Sequence, residues 1–353
     1  MGRPPGPRRG TPHPRRDELT AAENPTATVD GGKYVAPMER SGRRAEWRAI
    51  PLHVRHAIDA IAGSPVVSAN NLTGGFSPGP AARCELADGR RVFIKACGVE
   101  LNSFAPRLHR REAAVMAALP ARLPVPRLLG VHDDGQWVAL VLEHIDGRMP
   151  VAPLPADDIA AILRTVEVLA DIGTPAPDAV IAPVGTHETA SGRPYRWRLI
   201  AADLTRDDSG LDDWSRRNLD ALIELESSWI DAAAGKSLLH GDLRADNVLI
   251  TPDTTYVVDW PSAAVGAPWL DLVGMLPALH LDGAPPPGEL FDSHPVGCRA
   301  EPAAVDAYLT AILGYFTHES LLPPPLGLPT LRAFQRAQAE VGRAWLRERT
   351  GLR

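Results

Sequence analysis

At 353 residues, with 44% hydrophobic residues and a net charge of −6, the chain is long enough for two lobes or two modest domains with a real core. No apolar run reaches the roughly 18 residues of a membrane span, the arginine-bearing N-terminus lacks the apolar stretch of a secretory signal, and the acidic balance gives no reason to expect nucleic-acid binding. The three cysteines, Cys84, Cys97 and Cys298, form no CxxC pair or disulfide framework, and no His/Cys group has zinc spacing. A reducing cytoplasm is the expected location, with no obligate protein partner indicated.

Residues 1–45 read as a tail. Gly, Pro and Arg dominate the first sixteen positions, with Arg3, Arg8, Arg9, Arg15 and Arg16 and no acid. Such a segment buries too little to offset the entropy of ordering, and fits a disordered tail or a basic arm. Pro51 then opens a helix whose apolar face is Val54, Ala57, Ile58 and Ile61, and Gly63 ends it. Residues 66–70 read as a strand, followed by a glycine-rich stretch. Residues 82–86 and 91–96 flank Asp88-Gly89, a hairpin signal. A helix is expected over 107–119, closed by Pro120, and a second hairpin over 125–142 turns at Gly135.

Beyond Gly147 strands give way to helices. Ile159, Ile162, Leu163 and Val166 mark one. Leu211, Trp214, Leu222, Leu225 and Trp229 mark another, and 303–316 and 330–349 close the chain. A strand pair at 248–250 and 256–258 interrupts them. Strands with one helix, then a helical half, predict an α+β fold with lobes at 46–147 and 148–353 and a ligand cleft between them.

The segment from Leu238 to Ile250 runs Leu-Leu-His-Gly-Asp-Leu-Arg-Ala-Asp-Asn-Val-Leu-Ile. Asp242 and, five positions on, Asn247 lie in a polar loop between apolar runs, and Val257-Val258-Asp259-Trp260 places a second carboxylate at the end of a strand. Phosphoryl transfer needs a carboxylate to receive the proton of the attacking hydroxyl, and hard oxygen ligands to hold Mg2+ against the phosphates. Asp242 suits the first task, Asn247 and Asp259 the second. Asp246 and Asp253 read as turn-capping residues. Only three of the 37 basic residues are lysines, Lys33, Lys95 and Lys236, and Lys95 alone sits in an apolar strand, where a compact ammonium enters a phosphate site better than a guanidinium.

On His240, Gly241, Asp242, Asn247, Asp259 and Trp260 the chain resembles the aminoglycoside phosphotransferase family. The resemblance spans most of 65–350, with this stretch its specific part. It implies a bilobal protein-kinase-like fold, a small β-rich N-lobe over a larger helical C-lobe, with ATP or GTP and Mg2+ in the cleft. It also implies Asp242 as catalytic base, Asn247 and Asp259 as magnesium ligands, Asp271 as a brace for the catalytic loop, and a small-molecule hydroxyl as acceptor. In the first lobe it implies Lys95 on the phosphates, Glu112 seventeen residues later as its partner acid, and adenine bonded to the Glu143 carbonyl and the Ile145 N–H. Gly74, Gly75 and Ser77 are the candidate phosphate-covering contacts. Protein kinases carry Arg where this chain has Gly241, and Phe-Gly where it has Trp260-Pro261, so a protein substrate is the weaker reading. Asp203, Asp207, Asp208, Asp212, Asp213 and Asp220, against Arg206, Arg216 and Arg217, lean slightly toward a cationic acceptor or else form a solvated, dipole-matched helix start.

Overall fold

The computed structural model describes residues 44–72, 79–177, 181–186, 189, 194–203, 210–325 and 328–353. Residues 1–43 of the expected 1–45 tail, Lys33 among them, the loop residues Gly74, Gly75 and Ser77, and Arg206, Asp207 and Asp208 lie outside them.

Helix α1 (Leu52–Ala62) starts after Pro51 and stops at Gly63, whose left-handed φ of 75° lets its N–H close on Asp59 O at 2.9 Å. Strands β1 (Val66–Asn71), β2 (Ala81–Leu86), β3 (Arg91–Gly98), β4 (Leu128–Asp133) and β5 (Trp137–Glu143) form an antiparallel sheet in the order β1-β2-β3-β5-β4. Its hairpins turn at Asp88-Gly89 and at Gly135, as the sequence predicts.

The sheet separates two cores. Successive side chains of a strand point to opposite faces. Trp137, Ala139 and Val141 of β5 accordingly pack with Val54 and Ile58 of α1. Val138, Leu140 and Leu142 pack with Ala113, Val115 and Met116 of α2 (Ala105–Ala118) and with the helical lobe. On β3, Val92, Ile94 and Ala96 join the α1 side, which turns Lys95 toward α2. The strand runs to Gly98, so Lys95 stands within it, paired with Ala81 and Leu140, rather than one residue from its end.

Beyond β5 the chain runs through 144–147 and is fastened at Arg148. The backbones of Arg148 and Ile250 exchange two hydrogen bonds, 3.0 and 2.8 Å, and the Arg148 guanidinium grips buried Asp158 on α3 (Ala156–Ile172). The single helix expected across 211–229 is three pieces, at Asp213–Arg217, Leu219–Glu226 and Trp229–Ala232. Asn218 and Ser227 break it, each bonding its side chain to a nearby carbonyl, Trp214 O and Glu224 O. Helices at Arg196–Asp203, Leu270–Leu281 and Pro287–Ser293 were not anticipated. Two long helices, Pro302–Ser320 and Leu331–Thr350, close the lobe near the expected limits. Between the Trp229–Ala232 and Leu270–Leu281 helices run two short strand pairs, β6 (Ser237–Leu239) with β9 (Ala264–Gly266) and β7 (Val248–Ile250) with β8 (Thr255–Val257). Among the described residues no helix is long and apolar enough to cross a membrane.

Candidate active site

Strand β6 delivers the chain to His240, and the loop that follows is held from below. Asp271, in the first turn of the Leu270–Leu281 helix, accepts the His240 N–H on one carboxylate oxygen at 2.7 Å and the Gly241 N–H on the other at 2.9 Å. His240 is fully buried, its ring edge-on to Trp260 at 4.8 Å. Its Nε2 lies 3.0 Å from Val258 O, which can only accept, so Nε2 carries the proton and Nδ1 accepts the Asp242 N–H at 3.3 Å. Gly241 has φ 77°, and a Cβ there would stand 2.3 Å from Ser262 O. Both facts require glycine.

Asn247 is buried in a 3-10 turn and spends its amide nitrogen on Asp242 O at 2.8 Å. The amide oxygen, the hard donor, is thereby turned away from that bond. Asp259 follows β8 in the left-handed region at φ 71°, the one non-glycine residue there among the described residues. Such strain persists only where surrounding contacts impose it, and Asp259 has one. Lys95 Nζ lies 2.7 Å from Asp259 Oδ1 and 2.7 Å from Glu112 Oε1. The Glu112 side chain is 2% exposed and also accepts the Trp260 N–H at 3.4 Å, while Arg111 donates to Ala263 O at 2.9 Å. Helix α2 is thus bonded to β3 and to the helical lobe.

The charges follow from these contacts. Burial disfavours the Lys95 ammonium, but Asp259 and Glu112 outweigh it and raise its pKa to about 12. Burial would lift Asp259, but Lys95 overrides it, with His240 and Arg44 adding, and holds the carboxyl down at about 2. Glu112 is held above its ordinary value by burial, against the pull of Lys95. His109, one helical turn before Glu112, is buried and pushed down to about 4 by burial and then by Lys95, so it is neutral at physiological pH.

Asp242 is partly buried, its side chain 44% exposed. Burial raises its carboxyl to about 6, against the nearby Arg244 and His240. Arg244 Nη1 lies 2.9 Å from Asp242 Oδ1 while its other nitrogens grip Asp246 at 2.9 and 3.1 Å. Asp246 therefore anchors that arginine instead of merely capping a turn. Beyond Asp242, burial and then Glu319 and Asp242 raise the Tyr315 phenol. Arg196 stacks over the Tyr315 ring at 5.6 Å and lies 3.7 Å from Glu319, which pairs with Arg332 at 2.9 Å.

Lys95, Glu112, Asp242, Asn247 and Asp259 are therefore brought together. Glu143 ends β5, the strand that pairs with Lys95, and Ile145 is half-buried in the crossing segment two residues on. Lys236 is exposed. Asp212 caps the Asp213–Arg217 helix and pairs with Arg343 at 2.8 Å, and Asp203, Asp213 and Asp220 are exposed. Asp212, Asp213 and Asp220 thus stand at helix starts and Asp203 at a helix end, and the lean toward a cationic acceptor finds no support in them. Residue-level reading missed His109, Arg244 and the Tyr315–Arg196–Glu319 group. His109 carried a signal, its helical spacing from Glu112; the last group had none, since its helices meet only in the fold.

The donor set fits a magnesium ion. Asn247 offers an amide oxygen and Asp259 a carboxylate kept ionised, both hard ligands of the few that Mg2+ takes from protein beside phosphates and water.

The sequence matches the model of the phosphotransferase enzyme family over residues 99–311. A search of curated proteins gives no match. Among solved structures, a thermostable mutant of aminoglycoside phosphotransferase APH(4)-Ia in ternary complex with ADP and hygromycin B superposes with a TM-score of 0.55 at 17% identity, covering 82% of this chain and 98% of that one. ADP-bound aminoglycoside phosphotransferase APH(2'')-Ib gives 0.53 at 13%, covering 83% and 99%. A choline/ethanolamine kinase family protein from Mesorhizobium loti gives 0.53 at 16%, covering 84% and 94%. At these identities the likeness is one of fold.

Proposed function

We propose, for a chain that belongs to the phosphotransferase enzyme family, that it moves the terminal phosphoryl group of ATP or GTP to a hydroxyl of a small molecule, with aminoglycoside-type antibiotics and related metabolites in the acceptor class. The observation that carries this reading is Lys95, held 2.7 Å from both Glu112 and Asp259, beside a loop whose Asn247 amide is fixed on Asp242. Phosphoryl transfer leaves the protein little covalent work. Positioning and charge stabilisation do most of it.

Each residue then has a task at a stated atom. Lys95 Nζ neutralises the α- and β-phosphate oxygens, and Glu112 keeps the ammonium from swinging away. The Glu143 carbonyl and Ile145 N–H orient the adenine, and Gly74, Gly75 and Ser77 are the candidate phosphate contacts. Asn247 Oδ1 and the Asp259 carboxylate would hold Mg2+, which when bound offsets phosphate charge. Asp242 orients the acceptor hydroxyl and takes its proton as the oxygen–phosphorus bond forms and the bond to the nucleoside diphosphate breaks. Arg244, on Asp242 Oδ1, keeps that carboxylate ionised at neutral pH.

The test is nucleotide consumption against a panel of aminoglycosides, macrolides, amino sugars and small alcohols, with the product identified by mass spectrometry. One acceptor class is expected to drive turnover, and Asp259→Ala to abolish it while the protein stays folded. Undiminished turnover in Asp259→Ala refutes the metal assignment. Tight binding of Mg–nucleotide with no acceptor-dependent turnover would make the chain a nucleotide-binding module instead.

A further inference from the structure

Away from the cleft, three side chains from two elements meet on the outside of the N-lobe. His53 lies in the first turn of α1, His132 near the end of β4, and Asp134 in the β4–β5 turn. His53 Nε2 stands 2.9 Å from Asp134 Oδ2, and His132 Nε2 3.4 Å from the same oxygen. The three candidate ligand atoms all lie within 4.8 Å of one another. We infer that this trio is a divalent transition-metal site, of a chemistry suited to Zn2+ and its analogue Co2+, that staples α1 to the β4–β5 hairpin.

The spacing supports this. Metal–nitrogen and metal–oxygen bonds of about 2.0–2.2 Å at tetrahedral angles put neighbouring ligand atoms about 3.3–3.4 Å apart. The two histidine–carboxylate separations, 2.9 and 3.4 Å, bracket that value, so seating an ion needs shifts of a few tenths of an ångström there. The imidazoles close on each other from at most 4.8 Å. The His53 side chain, 64% exposed, has the freedom to make that movement.

The carboxylate is also held as a ligand should be. Asp134 Oδ1 accepts the Gln136 N–H at 2.9 Å and the Trp137 N–H at 2.7 Å, which fixes the group and leaves Oδ2 facing both rings. Such outer contacts orient metal ligands. Two imidazoles and one carboxylate favour a borderline metal over Mg2+, which prefers oxygen alone, so the site is chemically distinct from the Asn247–Asp259 pair. Three protein ligands leave a position for water. The two elements already touch, since a Cβ on Gly130 of β4 would stand 2.6 Å from Ile61 Cγ2 of α1, and the ion would add a second fastening at the other end of the helix.

Full-length protein, with excess Mg2+ to occupy the cleft, is titrated with Zn2+ by calorimetry and with Co2+ by visible absorption, beside His53→Ala and His132→Gln. Thermal unfolding without metal checks that both variants fold, and the exposure of His53 makes the first the safer comparison. The wild type is expected to take up one equivalent more than either variant, to show a tetrahedral Co2+ spectrum that both lack, and to gain roughly 5 °C in Tm at about a hundredfold excess over Kd. Equal uptake in the wild type and His53→Ala, or no uptake by the wild type, overturns the inference and leaves an ordinary His–Asp hydrogen-bond pair. Neither result bears on phosphoryl transfer, which is read in the separate turnover assay.

Discussion

Replacing Asp271 by Asn isolates the brace beneath the catalytic loop. Each of its carboxylate oxygens accepts one backbone N–H, from His240 at 2.7 Å and Gly241 at 2.9 Å, and the residue is buried. Asparagine keeps the volume and one acceptor oxygen but turns an NH2 toward the second N–H, so a buried donor loses its partner and meets another donor. An unsatisfied buried donor costs about 1–3 kcal/mol, and loss of the charge on the surviving bond adds about 1 kcal/mol. A domain-sized unit shifts roughly 2–4 °C in Tm per kcal/mol, so Asp271→Asn is expected to melt roughly 5–10 °C below the wild type. Catalysis should suffer as well. The brace sets Gly241, and the next residue is Asp242, whose misplacement by about 1 Å is worth on the order of a hundredfold in rate. Thermal unfolding and kcat on the same preparation measure both. A variant that melts with the wild type and turns over at the wild-type rate would show that water or a neighbouring group replaces the lost acceptor, and the brace would carry no weight.

The acid limb of kcat/KM should fall below pH about 6, because burial has raised the Asp242 carboxyl to that value and the protonated form cannot accept the hydroxyl proton. Arg244→Met removes the cation that opposes the rise and should move the limb to higher pH; a limb at the ordinary carboxylate value of 3.8 would point to another base. Gly241→Ala puts a Cβ 2.3 Å from Ser262 O at φ 77°, and is expected to cost roughly a hundredfold in turnover with a lower Tm; wild-type kinetics would show that the loop yields cheaply. Glu112→Gln takes the charge from one partner of Lys95 and should raise the KM for nucleotide while leaving the KM for the acceptor in place. Separate saturation curves decide whether the two move together.

How far the fold could be read from sequence depended on whether a segment has two distinguishable faces. The hairpins at Asp88-Gly89 and Gly135 and the helix over 52–62 show such faces and stand where expected. The Leu270–Leu281 helix does not. Leu270, Leu272, Val273, Met275, Leu276 and Leu279 are all buried, so it has no polar stripe to set a 3.6-residue period, and Pro277 lies within it. The opposite error came at 211–229. There the apolar spacing continues because Trp214, Leu222 and Trp229 all face one core, while the breaks at Asn218 and Ser227 are made by polar side chains that the apolar period does not register.

The site divides along a different line. Asp242 and Asn247 are five residues apart on one loop and are joined by the Asn247 amide on Asp242 O, so their proximity could be read locally. Lys95 and Asp259 are 164 residues apart, and His53 and Asp134 are 81 apart; no spacing rule joins either pair. Glu112 lies between these cases. It was legible as the sole carboxylate of its helix, but the stronger signal is its place in the pattern. His109, Glu112, Ala113 and Met116 fall at i, i+3, i+4 and i+7, the spacing of a buried helix face, and all four are buried. A glutamate on such a face cannot stay charged without a partner, and the chain's one lysine in an apolar strand stands opposite it. A titratable residue at an apolar-face position is therefore a call for its counter-charge, and here that reasoning leads from Glu112 to Lys95 and then, through the second 2.7 Å contact, to Asp259.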